Sequence, residues 1–69
     1  MPEAIFYEIH IRDVLDEKWA AYFSPLALKF SGNGTALVGM IQDQAELFGI
    51  LLKIRDLGLT LVSLTPVEN

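Results

Sequence analysis

The residues best suited to chemistry in this sequence cluster near its N-terminus. His10 is the one histidine, and Glu8 and Arg12 stand two positions to either side of it. Side chains two residues apart in a strand point to the same face, so these three would share one surface. Lys29, across the same predicted sheet face, would join them. The set predicts an anion- or carboxylate-binding patch or a general-base site, and it also fits a solvated face carrying cross-strand charge pairs.

The composition excludes several other chemistries. The 69 residues include no cysteine, which rules out a disulfide scaffold, a thiolate zinc site and a cysteine nucleophile. One imidazole and one carboxylate leave a metal site incomplete unless a symmetry mate supplies the rest, so we expect no metal and no cofactor. Nine acidic against five basic residues give a net charge of −4. Because the few cations form no stripe, we expect no nucleic-acid binding.

The elements that must position these residues begin with a strand. β-branched and aromatic residues alternate over 4–12, which is typical of a half-buried strand. Residues 59–65, rich in Leu, Val and Thr, form the last predicted strand.

A hairpin is predicted in the middle of the chain, where strands over 26–31 and 35–41 flank Gly32-Asn33-Gly34. A two-residue type I′ turn at Asn33-Gly34 would pair Phe30 with Leu37. A three-residue loop with a bulge is the alternative.

A short helix is predicted over 16–23. Trp19, Tyr22 and Phe23 stand at i, i+3 and i+4, and Ser24-Pro25 ends the pattern because the residue before proline disfavours helical geometry. These aromatic residues fit either the core or the lining of a ligand pocket.

The main helix is predicted from Asp43 to Gly58, with Glu46 completing a capping box and Gly58 in a left-handed C-terminal position. Its apolar arc is roughly twice the ~100° of an ordinary surface helix, so we expect cover on more than one side. Arg55, inside that arc, fits a last-turn cation or an ion pair across an interface. The residues that we expect at a subunit interface are Phe48, Leu52, Arg55 and Met40.

The order of these elements predicts the fold class. Strand, short helix, hairpin, long helix and strand indicate one α+β domain over residues 1–69. The predicted arrangement is ferredoxin-like, βαββαβ, with an antiparallel four-stranded sheet and one short and one long helix on one face.

Three stretches also carry a resemblance to a known family. Tyr7-Glu8-Ile9, Leu15-Asp16-Glu17-Lys18-Trp19 and the block from Asp43-Gln44-Ala45 through Ile54-Arg55-Asp56-Leu57-Gly58-Leu59 resemble a family of short, uncharacterised bacterial and archaeal proteins. The resemblance covers most of the chain. It implies a single-domain prokaryotic protein with a ferredoxin-like pattern, and it supplies no activity or site residue.

We therefore expect a small non-catalytic, cytoplasmic module that forms a homodimer or larger homo-oligomer and binds a protein partner or a small metabolite. A domain this small with 52% apolar residues has surplus apolar surface to bury. The alternative is a small enzyme with its active site on the open sheet face at a subunit interface. There His10 would act as base, and Arg12 or Lys29 would stabilise an anion. No apolar run approaches the ~18 residues of a membrane span, so we expect no membrane partner.

Overall fold

A four-stranded antiparallel sheet organises the chain in the computed structural model, which describes residues 4–32 and 34–67. The strands run in the spatial order β2-β3-β1-β4, and α1 packs on one face. The described residues therefore form an α+β fold with an open sheet, one α-helix and a three-residue 3-10 helix. The elements are β1 (Ile5–Ile11), the 3-10 helix (Glu17–Trp19), β2 (Ala27–Ser31), β3 (Gly34–Ile41), α1 (Gln44–Asp56) and β4 (Leu61–Val67).

The core lies between α1 and one face of the sheet. Alternation in β1 sends Ile9 and Ile11 to this face, and Ile9 pairs with Leu37 of β3 in the centre of the sheet. Ile50 and Ile54 of α1 close over them, and all five side chains are buried. The other face of the sheet has no cover from any described element and is called the open sheet face below.

The α-helix predicted over 16–23 is wrong, so the described residues do not show the two helices of the predicted ferredoxin-like βαββαβ order. α-Helical structure is replaced there by the 3-10 helix and a series of turns, in which Trp19 N donates to Asp16 O and Ser24 N donates to Ala21 O. A segment of eight residues is too short to form a stable helix by its own backbone hydrogen bonds. Phe23 in this segment is fully buried, so the turns place its ring in the core.

Asp13 and Asp16 precede the 3-10 helix, and only the Asp13 carboxylate makes a hydrogen bond among the described residues. Asp13 Oδ2 accepts a hydrogen bond of 2.8 Å from Thr60 N, far along the chain. Asp16 precedes the 3-10 helix, but its side chain makes no capping hydrogen bond. The buried Thr35 holds the same segment from β3, because its hydroxyl donates to Asp13 O at 2.8 Å and accepts from Leu15 N at 2.9 Å.

The hairpin is confirmed, but its predicted register is wrong by two residues. Phe30 pairs with Thr35 rather than with Leu37, and Ser31 pairs with Gly34. Gly34 is therefore a strand residue, and a Cβ there would lie 2.6 Å from the carbonyl oxygen of Ile11. The left-handed turn position belongs to Gly32, with φ of +59°. Asn33 lies outside the described residues. A shift by two residues leaves every side chain on its predicted face.

The ends of α1 are as predicted. The Asp43 carboxylate accepts from Glu46 N at 2.8 Å, and the Glu46 carboxylate accepts from Gln42 N, one residue earlier than in an ideal capping box. At the other end, Leu59 N donates to Ile54 O around Gly58, whose φ is +73°. This Schellman motif ends the helix, and the last strand begins at Leu61 instead of the predicted residue 59.

Candidate functional site

The open sheet face carries the polar residues that could bind a ligand. The strand pairing arranges its side chains in three rows that cross the sheet. Apolar residues occupy one end of the face, and ionisable and hydroxyl residues occupy the other. The rows are Met40, Phe6 and Val67, then Ala27, Val38, Glu8 and Thr65, and then Lys29, Ala36, His10 and Ser63.

Glu8 and His10 contact each other on this face. His10 Nε2 lies 3.4 Å from Glu8 Oε1, longer than a normal N–H···O hydrogen bond. The two side chains are 41% and 45% exposed, respectively. The imidazole therefore has a carboxylate at one side and remains open to a ligand or a substrate.

Lys29 shares the open sheet face with His10 but does not lie beside it. Both residues pair with Ala36, one from each side, so they stand two strand spacings apart, or roughly 10 Å. Ala36 is buried at the bottom of the gap between them. The gap is wide enough for a small group to lie between a lysine and a histidine.

Arg12 lies beyond the end of the strand that was predicted to carry it. β1 ends at Ile11, and the exposed Arg12 follows in a bend where its backbone N–H donates to Thr60 O at 2.9 Å. The structure thus brings together Glu8 and His10, with Lys29 two strands away on the same face. It leaves Arg12 beyond the end of the strand.

Two hydroxyl residues near His10 were missed by sequence reasoning. Ser63 pairs directly with His10, and Thr65 pairs with Glu8, because β4 lies antiparallel beside β1 with a bulge at Val62. The alternating hydroxyls at 63 and 65 in a Leu- and Val-rich strand were a signal of a polar face. Nothing in the sequence indicated which strand that face would join.

Exposed apolar residues of α1 form a second surface. Phe48 and Leu52, 57% and 47% exposed, lie on the side of the helix away from the sheet. We call Ala45, Phe48, Leu52 and Arg55, all exposed on this side, the outer helix face. Met40, predicted to join them, is 46% exposed but lies on the open sheet face, on the opposite side of the molecule. The predicted interface set is therefore divided between two surfaces.

Arg55 makes a local ion pair at the end of the outer helix face. Its Nη2 lies 2.9 Å from Asp56 Oδ1, and its Nε also donates to that oxygen. Both side chains are largely exposed, so this pair contributes little to stability.

The predicted aromatic cluster is split between core and surface. Phe23 is fully buried, whereas Tyr22 is 40% exposed and Trp19 is partly buried against the core. Lys18, Trp19 and Tyr22 line a cleft of about 330 Å³, which we call the aromatic cleft.

The described residues bring no three His, Cys, Asp or Glu side chains together in a way that could hold a metal ion. Among the same residues, the structure has no helix with the length and apolar content needed to cross a membrane.

An open antiparallel sheet with one face covered by α1 and the other exposed defines a small α+β domain with two surfaces available for contacts. Residues 6–65 match the model of a family described as a domain of unknown function, DUF8691, and the chain belongs to that family. Searches of the curated proteins and of the solved structures find no match. The predicted membership of an uncharacterised family is thus confirmed, and its prokaryotic origin stays a prediction.

Proposed function

We propose that this protein is a small non-catalytic module that forms a homodimer through the outer helix face. The observation that carries the proposal is the exposure of Phe48 and Leu52, four residues apart on one side of α1. Burying a large apolar side chain contributes about 1.5–3 kcal/mol. In a symmetric dimer each of these contacts occurs twice, so two residues supply four buried side chains.

A twofold axis suits this surface. In an antiparallel pair of α1 helices, Phe48 of each copy faces Leu52 of the other, because the two lie on one stripe of the helix. The helix dipoles also run in opposite directions in such a pair. The apolar groups of the outer helix face are therefore self-complementary.

In this proposal the open sheet face binds the protein partner or small metabolite. Glu8, His10 and Lys29 provide charged and hydrogen-bonding groups at one end, and Met40 and Phe6 provide apolar surface at the other. A ligand with an anionic group and an apolar part would use both ends. Because α1 lies on the other side of the sheet, dimerisation leaves this face accessible.

Sedimentation velocity over a wide concentration range tests the proposed dimer. We expect the native chain to sediment as a dimer and Phe48→Glu as a monomer, because two buried carboxylates would face an apolar surface. Met40→Glu is the matched control on the open sheet face and should remain a dimer. A native chain that is monomeric at every concentration, or a Met40→Glu variant that alone dissociates, would contradict the proposal.

A second candidate function is catalysis on the open sheet face. It is favoured by the contact of Glu8 with His10 and by the position of Ser63 beside His10. A carboxylate that orients a histidine next to a hydroxyl is an arrangement used for general-base chemistry. Hydrolysis of a chromogenic acetyl ester provides the test. Hydrolysis faster than in buffer that is lost in His10→Ala would support an enzyme. Equal rates for the native chain and His10→Ala would contradict this function.

We also infer a ferredoxin-like ancestry of the fold, with the first helix reduced to a 3-10 helix. The strand order β2-β3-β1-β4, with two crossovers that carry the helical segments, supports this reading. A member of the same family in which this segment forms a regular helix would strengthen the inference, and a member with a different strand order would contradict it. A cytoplasmic location in a prokaryote belongs to the same proposal, supported by the absence of cysteine, and cell fractionation tests it.

A further inference from the structure

The geometry points to the aromatic cleft as a binding site for a small planar aromatic carboxylate. The cleft lies in the segment between β1 and β2, apart from the outer helix face and from the open sheet face. The cleft is therefore separate from the surface of the proposed dimer and from the ligand site proposed on the sheet.

The two rings of the cleft form a corner. The centroids of Trp19 and Tyr22 are 5.7 Å apart, and the ring planes meet at 79°. A planar ligand placed against one ring in an offset stack presents its edge to the other, and both arrangements are favourable for aromatic pairs. The volume of about 330 Å³ is at the lower end of the range for small-molecule sites.

The corner is held in position by contacts on its far side. Tyr22 packs edge-on against the fully buried Phe23, with ring centroids 5.2 Å apart. Lys53 of α1 donates from Nζ to Tyr22 O at 2.8 Å, and its ammonium lies 5.0 Å from the Tyr22 ring centroid. The Tyr22 ring is thus tied to both the core and α1, so the cleft is formed before a ligand arrives.

The polar groups of the cleft select a negative ligand. The Trp19 indole N–H and the Lys18 ammonium can only donate hydrogen bonds, and the Tyr22 hydroxyl can donate or accept. Among the described residues, none of these three groups has a hydrogen-bond or ion-pair partner, and no carboxylate lines the cleft. Lys53 donates to Tyr22 O and does not line the cleft, so Lys18 supplies the positive charge for the ligand. The donors, this cation and the ring faces together complement a carboxylate attached to an aromatic ring.

Trp19 is the one tryptophan of the chain, so its indole N–H resonance and its fluorescence report directly on the cleft. We would titrate the full-length chain with benzoate, with benzamide as the uncharged aromatic control and with acetate as the charged control without a ring. We expect benzoate to shift the Trp19 signals saturably and to bind about tenfold more tightly than either control, because only benzoate satisfies both the rings and the cation.

Two matched charge-removing variants locate the site. Lys18→Gln should reduce benzoate affinity about tenfold, to the level of benzamide, whereas Arg55→Gln on the outer helix face should leave it unchanged. Both residues are exposed, so neither substitution should disturb the fold, and dispersion of the amide spectrum checks this. No saturable shift of Trp19, equal binding of benzamide, or a stronger effect of Arg55→Gln than of Lys18→Gln would overturn the proposal.

Discussion

The outer helix face and the open sheet face are both exposed, yet they present apolar groups in different ways. On the helix, Phe48 and Leu52 are neighbours on one stripe, and the nearby charges of Arg55 and Asp56 are already paired. On the sheet, apolar and ionisable residues occupy opposite ends of one surface. The first surface suits a flat, self-complementary contact, and the second suits a smaller ligand with two kinds of group. The exposure of apolar side chains alone therefore does not indicate which kind of partner each surface binds.

The largest expected difference in unfolding free energy is between substitutions on the inner and outer sides of α1. Ile50→Ala should lower the free energy of unfolding by about 3 kcal/mol, because it leaves a cavity beneath the helix. Phe48→Ala should change it by about 0.5 kcal/mol or less when measured where the chain is monomeric, since that ring is exposed. Urea denaturation of dilute protein measures both. Similar losses for the two variants would mean that Phe48 is part of the monomer core.

A matched pair of threonine substitutions compares the two faces of the sheet. Thr35→Val should cost about 2 kcal/mol, because the Leu15 amide and the Asp13 carbonyl lose their partner in a buried position. The same change at Thr65, exposed on the open sheet face, should cost about 0.5 kcal/mol or less. Thermal unfolding followed by circular dichroism tests the difference. An equal effect at both positions would show that the hydroxyl of Thr35 does not hold the segment after β1.

Truncation of a side chain on each exposed surface sharpens the comparison for assembly. Leu52→Ala should weaken dimerisation about tenfold, since each copy loses part of one buried side chain. Phe6→Ala, a larger truncation on the open sheet face, should leave the dimer dissociation constant unchanged. Sedimentation equilibrium at several concentrations gives both constants. If Phe6→Ala has the larger effect, the dimer forms through the sheet instead of the helix.

The smallest effects are expected from the exposed ionic contacts of the two surfaces. His10→Gln removes the contact with Glu8, and Arg55→Gln removes the pair with Asp56. Each change should alter the free energy of unfolding by about 0.5 kcal/mol or less, because the partners are solvated. Urea denaturation is again the measurement. A loss of more than about 1 kcal/mol at either position would show that the contact has a structural role.

Local patterns in the sequence were sufficient for several parts of this protein. Alternation over 4–12 identified β1, and the capping residues Asp43 and Gly58 identified α1 almost to the residue. Phe48, Leu52 and Arg55 share one side of the helix because the 3.6-residue period alone places them there. Each of these features depends on residues within a few positions of one another, so no knowledge of the rest of the fold was needed.

Features that depend on distant pairing became visible only in three dimensions. Ser63 and Thr65 join His10 and Glu8 because β4 pairs with β1 across more than half of the chain, with a bulge that shifts the register at Val62. Gly34 allows β3 to approach the end of β1 closely. It is therefore a strand residue instead of a turn residue, and the hairpin register differs from the predicted one by two residues. The segment predicted as a short helix forms a 3-10 helix and turns, and its Phe23 side chain lies in the core. Strand order, register and burial are set by contacts between distant segments, and local periodicity does not predict which segments pair.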